Sequence, residues 1–208
     1  EADNTVIIFM NDNGGSTETV HSLNAPFWGH KGTFWEGGIR VPMFIHGLDI
    51  EPREYPHPVS ALDIMPTMMA LGGKPFEPEA ITNSRGKKAP VIYDGVNLLP
   101  YLQGDMQETR PHQQLFWRML PSGSAMRDGD WKLIFTTHQP PQLYDLVSDP
   151  AERTDLAADN PAVVTRMMEA HGKWCNSFER APIWLGVDNH SRLHRKEYQL
   201  TQPEVSRN

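Results

Sequence analysis

The feature that most constrains this chain is its first apolar run. Thr5-Val6-Ile7-Ile8-Phe9-Met10 is six residues long, rich in β-branched side chains, and stops at Asn11-Asp12-Asn13-Gly14-Gly15. Branching at Cβ favours extended backbone, and the run is too short for an ordinary helix. With no polar alternation, it predicts a strand buried on both faces, as in the parallel sheet of an α/β domain. Such a strand needs neighbours on both sides. The other short strand signal in the first half, Arg40 to His46 (RVPMFIH), does not supply them. Further strands are therefore expected from chain preceding Glu1. The opening at Glu1, with neither methionine nor a signal-peptide pattern, reads as a mature, trimmed or truncated product.

Between these strands lies a long glycine-rich loop without sustained periodicity, expected to be structured. Asp63 to Leu71 (DIMPTMMAL) predicts a helix that Gly72-Gly73 stops; with Asp63 as N-cap, Pro66 falls in the first turn, where its missing N–H costs nothing. Residues 74–95, rich in Pro, Gly, Lys and Asn, read as a surface connection. The second half changes character: Gln114 to Met119, Ala125 to Arg127, Trp131 to Thr136 and Gln142 to Leu146 predict short strands. Asp128-Gly129 is the hairpin signal, and Trp131, Leu133 and Phe135 share one strand face. Asn160-Pro161 opens a helix with a stripe at 163, 164, 167, 168, 171 and 174. The expected organisation is an α/β portion over 1–110, a small antiparallel sheet with a C-terminal helix over 111–180, and a polar tail over 181–208.

Composition removes several classes of function. Nineteen Lys and Arg against 26 Asp and Glu leave a net charge of −7, which argues against a binder driven by nucleic-acid phosphates. No apolar run approaches the roughly 18 residues of a membrane helix. A single cysteine, Cys175, can form neither an internal disulfide nor a cysteine metal cluster.

Chemistry is expected where the first strand ends, because open α/β sheets bind ligands beyond the carboxyl ends of their strands. Asp12 and Asn13 offer a carboxylate and an amide oxygen side by side, hard donors suited to calcium or magnesium. An isolated Asp-Asn-Gly is also an ordinary Asx-type turn. Further along, Gly29-His30-Lys31-Gly32-Thr33 brackets a lysine with glycines, so a compact cation could approach a small anion closely. The phosphate-loop spacing Gly-x-x-x-x-Gly-Lys-Ser/Thr is absent.

Together these residues resemble the sulfatase family of the alkaline-phosphatase-like superfamily. The resemblance is carried by the strand with NDNGG and by the N-x-P-x-x-G-x-K-G-T-x-W-E-G-G-I-R-V-P block from Asn24 to Pro42. It continues in DIMPTMMALGG, RDGDWKLI (127–134) and LYDLVSDPAERTDLA (143–157), in family order over residues 5–175. It implies that Asp12 and Asn13 are ligands of a divalent cation, usually calcium. It also implies that Lys31 contacts the sulfate group and stabilises charge on the leaving oxygen. Glu36, Gly37, Gly38 and Arg40 match as well, with a structural role expected in holding the loop and the next strand. His30, beside Lys31, could face substrate or solvent.

The family's formylglycine comes from a C/S-x-P/A-x-R motif, and none occurs in these 208 residues. Cys175, followed by Asn-Ser-Phe-Glu-Arg, lacks that spacing and is expected to be a packed thiol. Calcium takes six to eight oxygens, and Asp12 with Asn13 supplies two or three. The expectation is thus a sulfuric ester hydrolase acting on aryl or carbohydrate sulfates, present as its C-terminal half and inactive alone. The missing N-terminal half of the same enzyme would bring the remaining ligands and the formylglycine, and secretion or periplasmic export is expected from the family. A phosphatase or phosphodiesterase of the same superfamily, or a non-catalytic remnant or interaction module, is the alternative. His190, His194 and the Arg192–Lys196 cluster read as a solvated tail.

Overall fold

The computed structural model describes residues 4–16, 22–47, 50–73, 80–82, 88–90, 94–103, 106, 108–119, 123–136 and 139–177. In chain order the elements are β1 (Ile7–Met10), α1 (Glu36–Ile39), β2 (Met43–His46) and a 3₁₀ turn (Ala61–Asp63) running into α2 (Ile64–Leu71). Then come β3 (Ala80–Thr82), β4 (Lys88–Pro90), α3 (Leu99–Leu102), β5 (Gln114–Met119), β6 (Gly123–Asp128), β7 (Trp131–Thr136), β8 (Gln142–Asp145) and α4 (Pro161–Asn176). The chain divides into two compact units, Glu1–Met10 with Met43–Gln113, and Asn11–Pro42 with Gln114–Asn208.

In the first unit β1 pairs with β2, and the run read as a strand of a parallel sheet takes this neighbour in the opposite direction. The pairing is antiparallel, with Ile7 opposite His46 and Phe9 opposite Phe44. Ile7, Phe9 and Phe44 are each about half exposed, and the two phenyl rings stack at 5.1 Å. A run without alternation marks high apolarity on both strand faces; it does not encode the direction of the neighbour.

The helix at Ile64 begins and ends as expected, but its cap works differently. Ser60 forms the capping box with Asp63, whose carboxylate returns to the Ser60 N–H at 2.7 Å. The same fully buried carboxylate accepts from the Val96 N–H at 2.8 Å and meets His112 Nε2 at 2.8 and 2.9 Å. Thr67 Oγ1 accepts from the Leu98 N–H at 2.9 Å, so Asp63 and Thr67 fasten α2 to the 96–98 segment. At the other end Gly72 N–H reaches Met68 O and Gly73 takes a φ of 70°. The segment read as a plain connection contains the antiparallel ribbon β3–β4, three residues a side, too short to show alternation.

The second unit is built on the meander β5-β6-β7-β8, antiparallel throughout. Asp128 pairs with Trp131 across a two-residue turn in which Gly129 has a φ of 61°. One sheet face carries Met126, Leu133 and Leu143 against Met167, Val163 and Val164 of α4, with Trp131 and Phe135 joining as the alternation predicts. The other face carries Ala125, Ile134 and Tyr144 against Phe34, Trp35 and Leu146. This second cluster brings the Asn24–Pro42 block onto the sheet. On α4, Cys175 is half-buried, its Sγ 3.7 Å from both ring nitrogens of His171. Residues 181–208, with His190, His194, Arg192 and Lys196, lie outside the described residues.

Candidate active site

The loop leaving β1 folds back on itself around Gly15. Its N–H donates to Asn24 Oδ1 at 2.8 Å, and Asn24 Nδ2 donates to Gly15 O at 3.0 Å and to Gly29 O at 3.1 Å. Lys31 N–H also donates to Gly15 O, at 3.2 Å. Gly15 stands two residues after Asn13, so the arm carrying Asp12 and Asn13 and the arm carrying Lys31 meet there. The sequence places these residues 18 apart; one asparagine side chain closes the gap.

Lys31 sits on a tight turn. Thr33 N–H reaches His30 O at 3.0 Å, while Thr33 Oγ1 donates to His30 O at 2.7 Å and accepts from His30 N–H at 3.0 Å. Gly29 and Gly32 flank the turn with φ of 87° and 86°, a region costly for a residue with Cβ. The G-x-K-G-T spacing thus fixes the backbone while leaving Lys31 exposed. His30 Nδ1 lies 2.8 Å from Lys31 O, so this ring nitrogen faces the turn's own backbone.

Asp12 is exposed, and Asn13 Nδ2 donates to Gly14 O at 2.8 Å, leaving the amide oxygen as that side chain's remaining polar atom. A carboxylate with an adjacent amide oxygen fits a hard cation in kind, and in number supplies two or three of six to eight oxygens. Among the described residues, no group of three or more His, Cys, Asp or Glu could hold a metal.

Both arms rest on α1, an element that glycine-rich sequence concealed. Gly14 N–H donates to Gly38 O at 2.9 Å, and Gly37 N–H donates to Trp28 O at 2.7 Å. A Cβ on Gly37 would lie 2.5 Å from both Gly29 O and Trp28 O, which is why this approach needs glycine. Glu36, the first residue of α1, is buried and bonded in the structural role expected of it. Lys132 Nζ of β7 lies 2.8 Å from Glu36 Oε1 and 2.7 Å from Glu152 Oε1, and the Glu36 N–H donates to Glu152 Oε2 at 2.6 Å. Arg40 approaches the second Glu36 oxygen at 3.7 Å. Two carboxylates and two cations thus balance, with the Lys132 side chain fully enclosed.

Burial pushes the Glu152 carboxyl above its ordinary range, against the pull of the Lys132 ammonium. Glu152 also holds a φ of 54°, an uncommon conformation kept by the contacts around it. Asp149 accepts from the Arg153 and Thr154 N–H groups at 2.7 and 2.8 Å, and Asp155 accepts from the Leu143 N–H at 3.0 Å. The acidic residues of SDPAERTDL therefore hold this segment to itself and to β8. Sequence reasoning missed Lys132 and Glu152; the available signal was a lysine in phase with Ile134, inside a strand whose opposite face was already assigned to the core.

The Sulfatase family model matches residues 1–74. Among curated relatives, a choline-sulfatase of Rhizobium meliloti is 33% identical over 161 residues, covering 76% of this chain and 28% of its own length. A human steryl-sulfatase is 29% identical over 233 residues, covering 90% and 38%. This chain thus spans about a third of the length of the curated relatives it matches. Among solved structures, Ps i-CgsB superposes with a TM-score of 0.72 at 31% identity, over 96% of this chain and 41% of that one. A phosphonate monoester hydrolase of Agrobacterium radiobacter superposes at 0.52 with 26% identity, over 83% and 35%.

Proposed function

The chain belongs to the sulfatase family, and from that premise we propose that it carries one side of the active site of a sulfuric ester hydrolase. Lys31 contacts the sulfate group and stabilises negative charge developing on the leaving oxygen, work suited to a backbone-anchored ammonium. Asp12 and Asn13 contribute their oxygens to a calcium site. Calcium, when bound, withdraws electron density from the sulfate oxygens. The other ligands and the formylglycine come from the rest of the enzyme, and the exposed apolar side chains of Ile7, Phe9 and Phe44 offer a surface on which it packs. Export to the periplasm or the cell exterior belongs to the same reading.

The observation that supports this most is the closure at Gly15, which holds the lysine arm and the oxygen-donor arm together. The phosphonate monoester hydrolase neighbour favours a second reading, a phosphatase or phosphodiesterase. The test is hydrolysis of matched aryl esters by the full-length protein, with a sulfated oligosaccharide alongside. Faster cleavage of the sulfate is expected, with loss of activity on calcium chelation; faster cleavage of the phosphate would establish the second reading.

A further inference from the structure

We propose that Lys132 and Glu152 are positioning residues for both functional arms, acting through α1. The sulfatase reading supplies what the arms do; the mechanical link stands on geometry alone. Gly38 O holds Gly14, next to Asn13, and Trp28 O, three residues before Lys31, holds Gly37. The orientation of α1 therefore sets the spacing of the two arms. Four residues cannot hold a helix in place by their own hydrogen bonds. Phe34 and Trp35 pack the chain just before α1 onto the sheet, and the polar ties of α1 to that sheet run through its first residue: the Glu36 carboxylate on Lys132 at 2.8 Å and the Glu36 N–H on Glu152 at 2.6 Å.

Those partners come from 96 and 116 residues further along the chain, one on β7 and one in the loop after β8. An enclosed ammonium between two carboxylates permits few alternative geometries, because each displaced charge would lie unpaired in the interior. The RDGDWKLI and SDPAERTDL segments, remote in sequence from any reacting group, acquire a shared task here. They present the two charges that seat α1.

Lys132→Met keeps the apolar stem and removes the ammonium. In the full-length enzyme, assayed below the variant's own melting temperature, calcium affinity and kcat should each fall by about tenfold or more, with KM changed less. Glu152→Gln, which keeps an oxygen for the Glu36 N–H, should lose far less than Glu152→Ala. Asp128→Asn removes the charge by which Asp128, on β6 of the same sheet, pairs with Arg166 of α4, and serves as control; it should lower the melting temperature while leaving kcat and calcium affinity unchanged.

Hydrogen exchange gives a readout independent of catalysis. Peptides covering 11–16 and 28–42 should exchange faster in Lys132→Met, with 161–176 unchanged. If Lys132→Met does not fold, Glu152→Ala carries the same expectations. Wild-type kcat and calcium affinity in a folded variant, or wild-type exchange over 28–42, would overturn the proposal. If the wild-type enzyme neither cleaves aryl sulfate nor binds calcium, the sulfatase reading falls, and the exchange measurement alone decides the positioning claim.

Discussion

His171 stands where the apolar stripe of α4 would ordinarily carry leucine or methionine. It stacks on Phe135 at 4.4 Å, and burial followed by the nearby Arg118 charge lowers its pKa from 6.5 to about 4. The ring is thus neutral in the folded protein through the range in which the unfolded chain would protonate it. A depressed folded-state pKa means stability fully present above pH 6.5 and lost as pH falls toward 4, worth at most about 3 kcal/mol. His171→Phe keeps an aromatic ring and removes the titration. Urea unfolding at pH 7 and pH 4.5 should show a smaller acid loss for the variant; an equal loss would place the effect in other groups. The stripe made position 171 legible as buried, whereas its proton chemistry was not, since pattern reports where a side chain points and not the charges beside it. Lys132 shows the same limit: its alternation put it on a face, and its two carboxylate partners lie far away in sequence.

At the scale of elements, the meander and α4 were legible because alternation and 3.6-residue spacing translate directly into faces. The loop was legible only in its motifs. Asn24 is legible as the first residue of its motif but not in its task, for its amide serves three backbone groups, on Gly15 and Gly29. Asn24→Ala strands those groups in a half-buried loop and should cost about 1–3 kcal/mol. Thermal unfolding measures that cost, and a melting temperature equal to wild type would show that water replaces the amide without loss. α1 went unrecognised because Gly37 and Gly38 are poor helix formers; the element exists through its contacts with Trp28, Gly14, Lys132 and Glu152 rather than by propensity. The partner direction of β1 was likewise invisible, being a property of the neighbouring strand.

For the whole molecule, the central facts are a pair of arms held on a buried ionic cluster and an exposed apolar ribbon at Ile7, Phe9 and Phe44. The 208-residue chain by itself is expected to show no sulfatase turnover, to bind calcium weakly, and to associate as its concentration rises. Replacing Phe9 and Phe44 by threonine should reduce that association in sedimentation velocity; association unchanged would locate it elsewhere. The measurement that bears most directly on the central claim is the kcat of Lys31→Ala in the full-length enzyme with an aryl sulfate. A fall of at least about tenfold is expected from lost stabilisation of transition-state charge. A kcat equal to wild type would return Lys31 to the status of a solvated loop lysine and contradict the role given to this site.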